Sequence, residues 1–429
     1  MEKLNEDFII NLSNNKGEPL WMKNFRLNSY KKFLELDNPS FGPKINIDFD
    51  NLVYHKGLFA PPSCSWENVD KKVKNTFNDL GVIDAENKYL KGVSNQYESE
   101  VIYHKMEESD GIIFLSTDEA LKKYPELFEK YFNNLVKYDE NKYTALNGAL
   151  WSGGSFIYIP PYTKVDRPLQ SYFRIDTKNL GQFERTIIIV DHDSSLHYIE
   201  GCTAKNYSTT SLHAGVVEIY VGKNSSCKYS TIQNWSKDVY NLVTKRAILE
   251  EDAYMQWVDG NIGSGVTMKY PSCILKGDNS KASSISIAYA KEGQHLDAGA
   301  KMIHLGKNTK STIISKSIAG FGGTSDYRGT VKIAKDATGS FATIKCDNII
   351  LDNISSSNTY PKNIVENNES TLEHEATISK INEEKLNYLM SLGISEDAAK
   401  DLYVLGFMSD FKKSLPMEYA VELNRLIKE

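Results

Sequence analysis

From Trp151 to about Asn353 the sequence contains no convincing long helix, and that absence limits the fold more than any other feature. Short β-branched or alternating runs follow one another instead: Ser171-Tyr-Phe-Arg-Ile-Asp, Glu184-Arg-Thr-Ile-Ile-Ile-Val, Gly215-Val-Val-Glu-Ile-Tyr-Val and Cys227-Lys-Tyr-Ser-Thr-Ile-Gln. The series continues through Ser283-Ser-Ile-Ser-Ile-Ala-Tyr, Ser311-Thr-Ile-Ile-Ser-Lys, Gly329-Thr-Val-Lys-Ile-Ala and Ser340-Phe-Ala-Thr-Ile-Lys-Cys-Asp. Gly, Asn and Asp punctuate them roughly every 10–15 residues, as turns between strands require. A sandwich and a stacked solenoid such as a β-helix both fit this texture. Regularity sustained over about 200 residues without a sandwich-sized break favours the solenoid.

The two ends read differently. Residues 1–145 are mixed and mainly helical. Trp21–Leu34 and Asp118–Phe132 carry aromatic and aliphatic residues three and four apart, the amphipathic helix period, and Asp110–Leu115 is a short apolar strand between them. The expected solenoid spans 146–365. Residues 366–429 are expected to form a helical C-terminal domain. There Asn382–Gly393 ends in a capping glycine, Ser395 and two acids open a second helix, and Pro416 sits in the first turn of a third.

The bulk numbers exclude some functions. Net charge is −6 over 429 residues, which disfavours a generic nucleic-acid binder. Five cysteines, an odd and scattered set with no CxxC pair, point to reduced thiols and not to a disulfide framework. The first residues have no apolar signal core, and Ile187–Val190 is far short of the ~20 residues that span a bilayer. The expectation is a cytoplasmic protein with no membrane association.

Common catalytic signatures are missing. There is no GxxxxGK[ST], HExxH or GxSxG in the sequence, so P-loop ATP hydrolysis is not expected of this chain. The glycines after Phe321 form too short a run for a phosphate cradle. What remains is thiol chemistry. Cys202, in Glu200-Gly-Cys-Thr-Ala204, is a strand cysteine; such a residue is more often a small core side chain, but as a sulfur acceptor it needs nearby cations to favour its thiolate. Arg174, Lys245 and Arg246 lie on neighbouring strand runs and are the candidates. Gln233 and Trp235 could line the same interior, or serve as a buried polar ladder and a core aromatic.

Cys346-Asp347 and, about thirty residues on, Glu373-His374-Glu375 combine thiolate, imidazole and carboxylate, the ligand types that suit iron and zinc. Alternation along a strand puts Glu373 and Glu375 on one face and His374 on the other, so at most two can ligate one atom unless the segment bends. The alternative is a solvated charge cluster. Cys64, Cys227 and Cys273 read as structural, and His197, His213, His295 and His304 as satisfied core or surface residues.

At these same positions the sequence resembles a known family. The motifs are Trp151-Ser-Gly-Gly-Ser-Phe-Ile-Tyr-Ile-Pro-Pro, Gly181-Gln-Phe-Glu-Arg-Thr, Glu200-Gly-Cys-Thr-Ala, Gln233-Asn-Trp, Val243-Thr-Lys-Arg and Met268-Lys-Tyr-Pro-Ser-Cys. They continue in order through Lys301-Met-Ile-His-Leu-Gly-Lys-Asn-Thr, His374-Glu-Ala-Thr and Leu415-Pro-Met-Glu-Tyr-Ala. Together they resemble the SufB/SufD family of the Suf iron–sulfur cluster assembly machinery, and its SufB branch in particular, from about residue 20 onward.

The resemblance implies a mainly β protein whose core is a right-handed parallel β-helix flanked by helical terminal domains. It implies a non-enzymatic scaffold that accepts persulfide sulfur and iron, builds a transient [4Fe–4S] or [2Fe–2S] cluster, and passes it to recipient apoproteins. Expected partners are the ATPase SufC, docked by the C-terminal helices; SufD or a second copy of this chain; and a cysteine desulfurase or sulfur-transfer protein. Reduced FAD is also associated with such complexes, although the sequence carries no flavin fingerprint. Residue by residue, Cys202 would accept sulfur, and Arg174, Gln233, Trp235 and Lys245 would lie along its route. Cys346 and Glu375 would serve cluster assembly, with Glu373 and His374 in support.

One position departs from the pattern. Asp176 stands where related sequences have Asn, and a carboxylate there would pair with Arg174 and lower the positive potential near Cys202. Two other readings compete with the scaffold: a purely structural paralogue, and a β-helix enzyme acting on polysaccharide, which would need clustered Asp or a basic groove.

Overall fold

The corners of the ladder explain its punctuation. Asp193, Asn224, Asp252, Asn279 and Asn308 all adopt left-handed backbone, with φ between 56° and 59°, and Gly339 takes the next such corner at 69°. Asn, Asp and Gly are the residues that tolerate this conformation. Successive corners stack: Ser194 N–H donates to Ser225 Oγ across 31 residues, Thr309 N–H to Ser340 Oγ across 31, and Ser340 N–H to Ser370 Oγ across 30. Each turn of the chain therefore returns over the last.

In this computed structural model residues 3–57, 59–80, 82–107, 111–205, 210–409 and 411 are described. The result is a parallel β-solenoid of about 8 turns, 42% strand and 23% helix overall, with helices at both ends. One sheet stacks Leu169–Ile175, Ser195–Ala204, Ser226–Asn234, Tyr254–Asn261, Lys281–Ala290, Lys310–Ala319, Phe341–Ile350 and Thr371–Lys380. The facing sheet includes Arg185–Val190, Val216–Val221, Val239–Leu249, His295–His304, Thr324–Ile333 and Ser356–Val365. Between them lies a continuous apolar core that includes Tyr198, Ile219, Trp257, Met302, Val331 and Ile344.

The ladder runs further than the alternation suggests. Thr371–Lys380 is a strand paired in parallel with Phe341–Ile350, and helix begins only at Glu383. At the other end Gly92–Tyr97 pairs in parallel with Leu169–Ile175 and carries an antiparallel hairpin partner, Glu100–Met106. Among the described residues Thr371–Lys380 has a strand partner on one side only and is largely exposed, whereas Gly92–Tyr97 is paired on both sides and buried along most of its length, so neither strand alternates between a buried and an exposed face.

Helix Leu20–Glu35 forms as its spacing predicts. The Asp118–Phe132 stretch is two helices, Thr117–Lys123 and Pro125–Tyr131. Tyr124 breaks them at φ −135°, ψ 56°, because the residue before proline avoids helical backbone. Ser395 caps Glu396–Phe407 by accepting from Ala398 N–H. This helix lays Val404 and Met408 on Ile232, Val258, Ile287 and Ile318, the outer face of the first sheet. The helix expected at Pro416 lies outside the described residues. Among the described residues no helix is long and apolar enough to cross a membrane.

Candidate functional site

Side chains of the Ser195–Ala204 strand alternate, so Tyr198, Glu200 and Cys202 point inward. Cys202 is buried and pairs in register with Phe173 on one side and Gln233 on the other. It packs in a small cluster with Phe173 and Trp235. Gln233 Oε1 accepts from Asn241 Nδ2 at 2.7 Å and from Lys269 Nζ at 3.1 Å, which fixes its orientation and leaves Nε2 buried without an acceptor. Trp235 Nε1 is likewise buried and unpaired, with its ring 4.7 Å from that of His213. Buried donors without partners are uncommon, and among the described residues two of them flank this thiol.

Lys245 enters from the facing sheet. Its Nζ lies 3.0 Å from Glu200 Oε1 and 3.3 Å from the Tyr229 hydroxyl, with both charged side chains fully buried. Tyr229 donates to Glu200 Oε2, Thr231 donates to Oε1 at 3.4 Å, and the Cys202 thiol donates to Oε1 at 3.7 Å. Burial pushes the Cys202 thiol well above its ordinary value and Glu200 adds to this, against Lys245. Burial also favours a protonated Glu200, but Lys245 and the Tyr229 hydroxyl outweigh it and hold the carboxyl below the usual range. The resting site is thus an ion pair beside a neutral thiol. Farther along the interior, Lys269 pairs with Asp259 at 3.0 Å, and His213 Nε2 lies 3.4 Å from buried Glu184.

Arg174 does not share this interior. It pairs in register with Thr203, one residue past Cys202, so its side chain leaves the opposite face. There its Nε donates to Asp176 Oδ1 at 2.6 Å, and its guanidinium donates to Thr203 Oγ1 at 3.1 Å. The pairing expected of Asp176 is present. Arg246 is turned outward too, held by Glu140 at 2.7 Å.

Cys346 is buried and points inward from the next-to-last strand of its sheet, with Ser315 and Ala376 as register partners. Burial, then Asp347, pushes its thiol up to about 12. The Glu373–Glu375 strand is straight, so the alternation holds. His374 shares the inward face, pairing in register with Ile344 and bonding Asn363 at 3.0 Å. Glu373 and Glu375 face outward opposite Thr343 and Lys345. The structure therefore does not bring Glu375 to Cys346 within one chain, and among the described residues no three of His, Cys, Asp and Glu converge as a metal site.

The two thiol regions are connected. Glu200, Thr231, Asp259, Ser286, Ser315 and Cys346 are consecutive register partners on six adjacent strands, all inward and buried. At the usual strand spacing this polar column is roughly 24 Å long.

A family model described as SUF system FeS cluster assembly, SufBD core domain, matches residues 173–407, and one for the SufBD protein N-terminal region matches 69–171. The chain belongs to the SufBD family. It is 52% identical to the iron-sulfur cluster assembly protein SufB of Bacillus subtilis strain 168, covering 99% of this chain and 92% of that protein. It is 54% identical, over the same shares, to iron-sulfur cluster assembly SufBD family proteins of Staphylococcus saprophyticus and Staphylococcus aureus strain MRSA252. This SufBD protein is thus an iron–sulfur cluster assembly component.

Sequence reading did not single out Glu200, Tyr229, Asp259 or Lys269 of this SufBD chain. The signal for Glu200 was its i, i+2 relation to Cys202, which puts both on one strand face. The others could be found only from register. For flavin, the glycines after Phe321 lead into strand Thr324–Ile333 and not into a helix N-terminus, so they do not form a dinucleotide cradle.

Proposed function

We propose that this chain is the scaffold on which iron–sulfur clusters are built, with Cys202 accepting persulfide sulfur and Cys346 anchoring the nascent cluster. The observation that carries this reading is the buried polar column from Glu200, beside Cys202, to Cys346. Its hydroxyls and ion pairs give an anionic sulfur species hydrogen-bond partners along an otherwise apolar interior. Gln233 Nε2 and Trp235 Nε1, buried without acceptors, suit a sulfur anion on Cys202. Lys245 supplies the cation. Arg174, on the outer face with Asp176, serves this route by holding the strand that packs Phe173 against Cys202.

The cluster is cargo, and its site should be labile. A soft thiolate with carboxylate or imidazole ligands holds iron yet releases it more readily than four thiolates. Because Glu375 and Cys346 leave opposite faces of one chain, the assembly site is shared. Among the described residues strands Ser356–Val365 and Thr371–Lys380 end their sheets with one edge unpaired and expose Tyr360, Val365 and Ile378. Such edges invite pairing. A second solenoid, SufD or another copy of this chain, covers this end, and rearrangement there brings Glu373, His374 and Glu375 to the cluster. The SufC ATPase docks on the C-terminal helices, where Tyr388, Leu392 and Leu402 are exposed, and drives that rearrangement. A desulfurase system supplies sulfur, and apoproteins receive the finished cluster in the cytoplasm.

Anaerobic reconstitution with iron and sulfide, read by visible absorption and Mössbauer spectra, tests this. Wild type and Cys346→Ser are compared, each alone and with SufC. A cluster lost in the variant supports the scaffold; equal cluster in both removes Cys346 as the anchor. No cluster under any condition, SufD included, leaves the structural paralogue as the better reading.

A further inference from the structure

Among the described residues Glu200 is the one charged side chain bonded to the Cys202 thiol. Its Oε1 receives both that thiol, at 3.7 Å, and Lys245 Nζ, at 3.0 Å. It is fully buried and deep in the solenoid, so a water molecule from bulk cannot readily serve in its place. A thiol is a poor nucleophile until its proton leaves, and among the described residues the other buried acids of this interior do not bond this thiol: Asp259 pairs with Lys269, and Glu184 lies 3.4 Å from His213 Nε2.

We propose that Glu200 is the base that takes the Cys202 proton, freed for that task when Lys245 turns from it to an incoming persulfide anion. This rests on the reading of Cys202 as the sulfur acceptor. In the resting state the ion pair quenches the carboxylate. A persulfide R–S–S⁻ entering beside Lys245 competes for the ammonium, and a buried carboxylate that loses its cation becomes far more basic. The Cys202 proton moves to Glu200. The thiolate attacks the outer sulfur of the donor, forming the Sγ–S bond as the donor S–S bond breaks. The electron pair goes to the donor's inner sulfur, which leaves as R–SH with the proton returned from Glu200. Cys202 is left as a persulfide anion paired with Lys245. Thiol plus R–S–S⁻ gives Cys–S–S⁻ plus R–SH, with no external oxidant or reductant. The arrangement also explains why a reactive thiol can sit inert inside the solenoid: its base is released only by its substrate.

The test uses the full chain and glutathione persulfide as donor, with sulfur on Cys202 followed by peptide mass spectrometry. Glu200→Gln, which keeps the shape and cannot take a proton, should load at least ~100-fold more slowly at saturating donor. Glu200→Asp should recover part of the rate. Lys245→Gln should instead raise the donor concentration needed for half-maximal rate. Loading of folded Glu200→Gln at the wild-type rate overturns the proposal and leaves Cys202 as acceptor. No loading of Cys202 in the wild type overturns the acceptor reading and this inference with it. Should Glu200→Gln fail to fold, infrared difference spectra of the wild type decide. A protonated-carboxyl band must rise and decay with loading, and its absence overturns the proposal.

Discussion

Lys345 and Glu375 face each other across the outer side of the solenoid, Nζ to carboxylate 3.7 Å, on the two strands that also carry Cys346 and Ala376 inward. The pair is about half exposed. Exposed ion pairs contribute little, so Glu375→Ala should change stability by no more than about 0.5 kcal/mol in urea unfolding. Any effect on cluster yield then reports chemistry and not folding. In the isolated chain Cys346→Ser should abolish reconstituted absorbance while Glu375→Ala leaves it unchanged. In the complex with a second solenoid both should lose it. Loss in the isolated chain with Glu375→Ala would mean the strand bends to bring both groups to one iron.

The Lys245–Glu200 pair behaves differently because it is fully buried. Replacing Lys245 with Met leaves an uncompensated anion inside and should cost about 3–5 kcal/mol. Adding Glu200→Gln should recover most of that, a coupling that a double-mutant cycle in urea measures. Glu200 is held below its ordinary value and Lys245 above. The glutamate's contribution is therefore present above the unfolded carboxyl value and fades as pH falls through the folded one. The lysine's is present below its unfolded value and fades as pH rises through the folded one. The pair should stabilise the protein throughout the neutral range. Additive costs would show that the two charges are not coupled.

The solenoid was legible because its corners need Asn, Asp or Gly and its strands need β-branched residues, and both leave local marks. Pro125 also left a mark, though the helical spacing around it pointed to one helix instead of two. The inward face of each strand could be read as well: the alternation that sets Glu373 and Glu375 against His374 is the one observed. Register could not. Whether Lys245 reaches Glu200, or Arg174 turns away from Cys202, depends on which residue of one turn lies over which of the next. Turns of slightly unequal length hide that in the sequence. The column from Glu200 to Cys346 joins residues far apart in the chain, so no short motif contains it.

Thiol reactivity should separate the cysteines sharply. Cys64 is exposed, while Cys202, Cys227, Cys273 and Cys346 are buried. Burial raises all four buried thiols, Cys273 and Cys346 to about 12, so neither access nor thiolate fraction favours them. A disulfide reagent at neutral pH should titrate one thiol per native chain rapidly and five after denaturation, and Cys64→Ser should remove the fast phase. A second fast thiol at Cys202 in the free protein would show that its interior opens without a donor.

Acid should weaken the fold through His304. The ring is fully buried, with Nδ1 2.8 Å from Thr309 Oγ1 and Nε2 2.8 Å from Ser311 Oγ. Thr309 also donates to the Gly306 carbonyl at 3.2 Å, so a neutral ring donating from Nδ1 and accepting at Nε2 satisfies both hydroxyls. Burial lowers its pKa to about 4 from the ordinary 6.5. The unfolded chain therefore binds a proton that the folded chain refuses between those values, and stability falls as pH drops through that window. The loss attributable to this ring is on the order of 3 kcal/mol by pH 4. His304→Asn, whatever it costs at pH 7, should lose about that much less than wild type between pH 7 and pH 4 in urea midpoints corrected for slope. Parallel pH profiles in the two proteins would mean that His304 titrates normally in the fold.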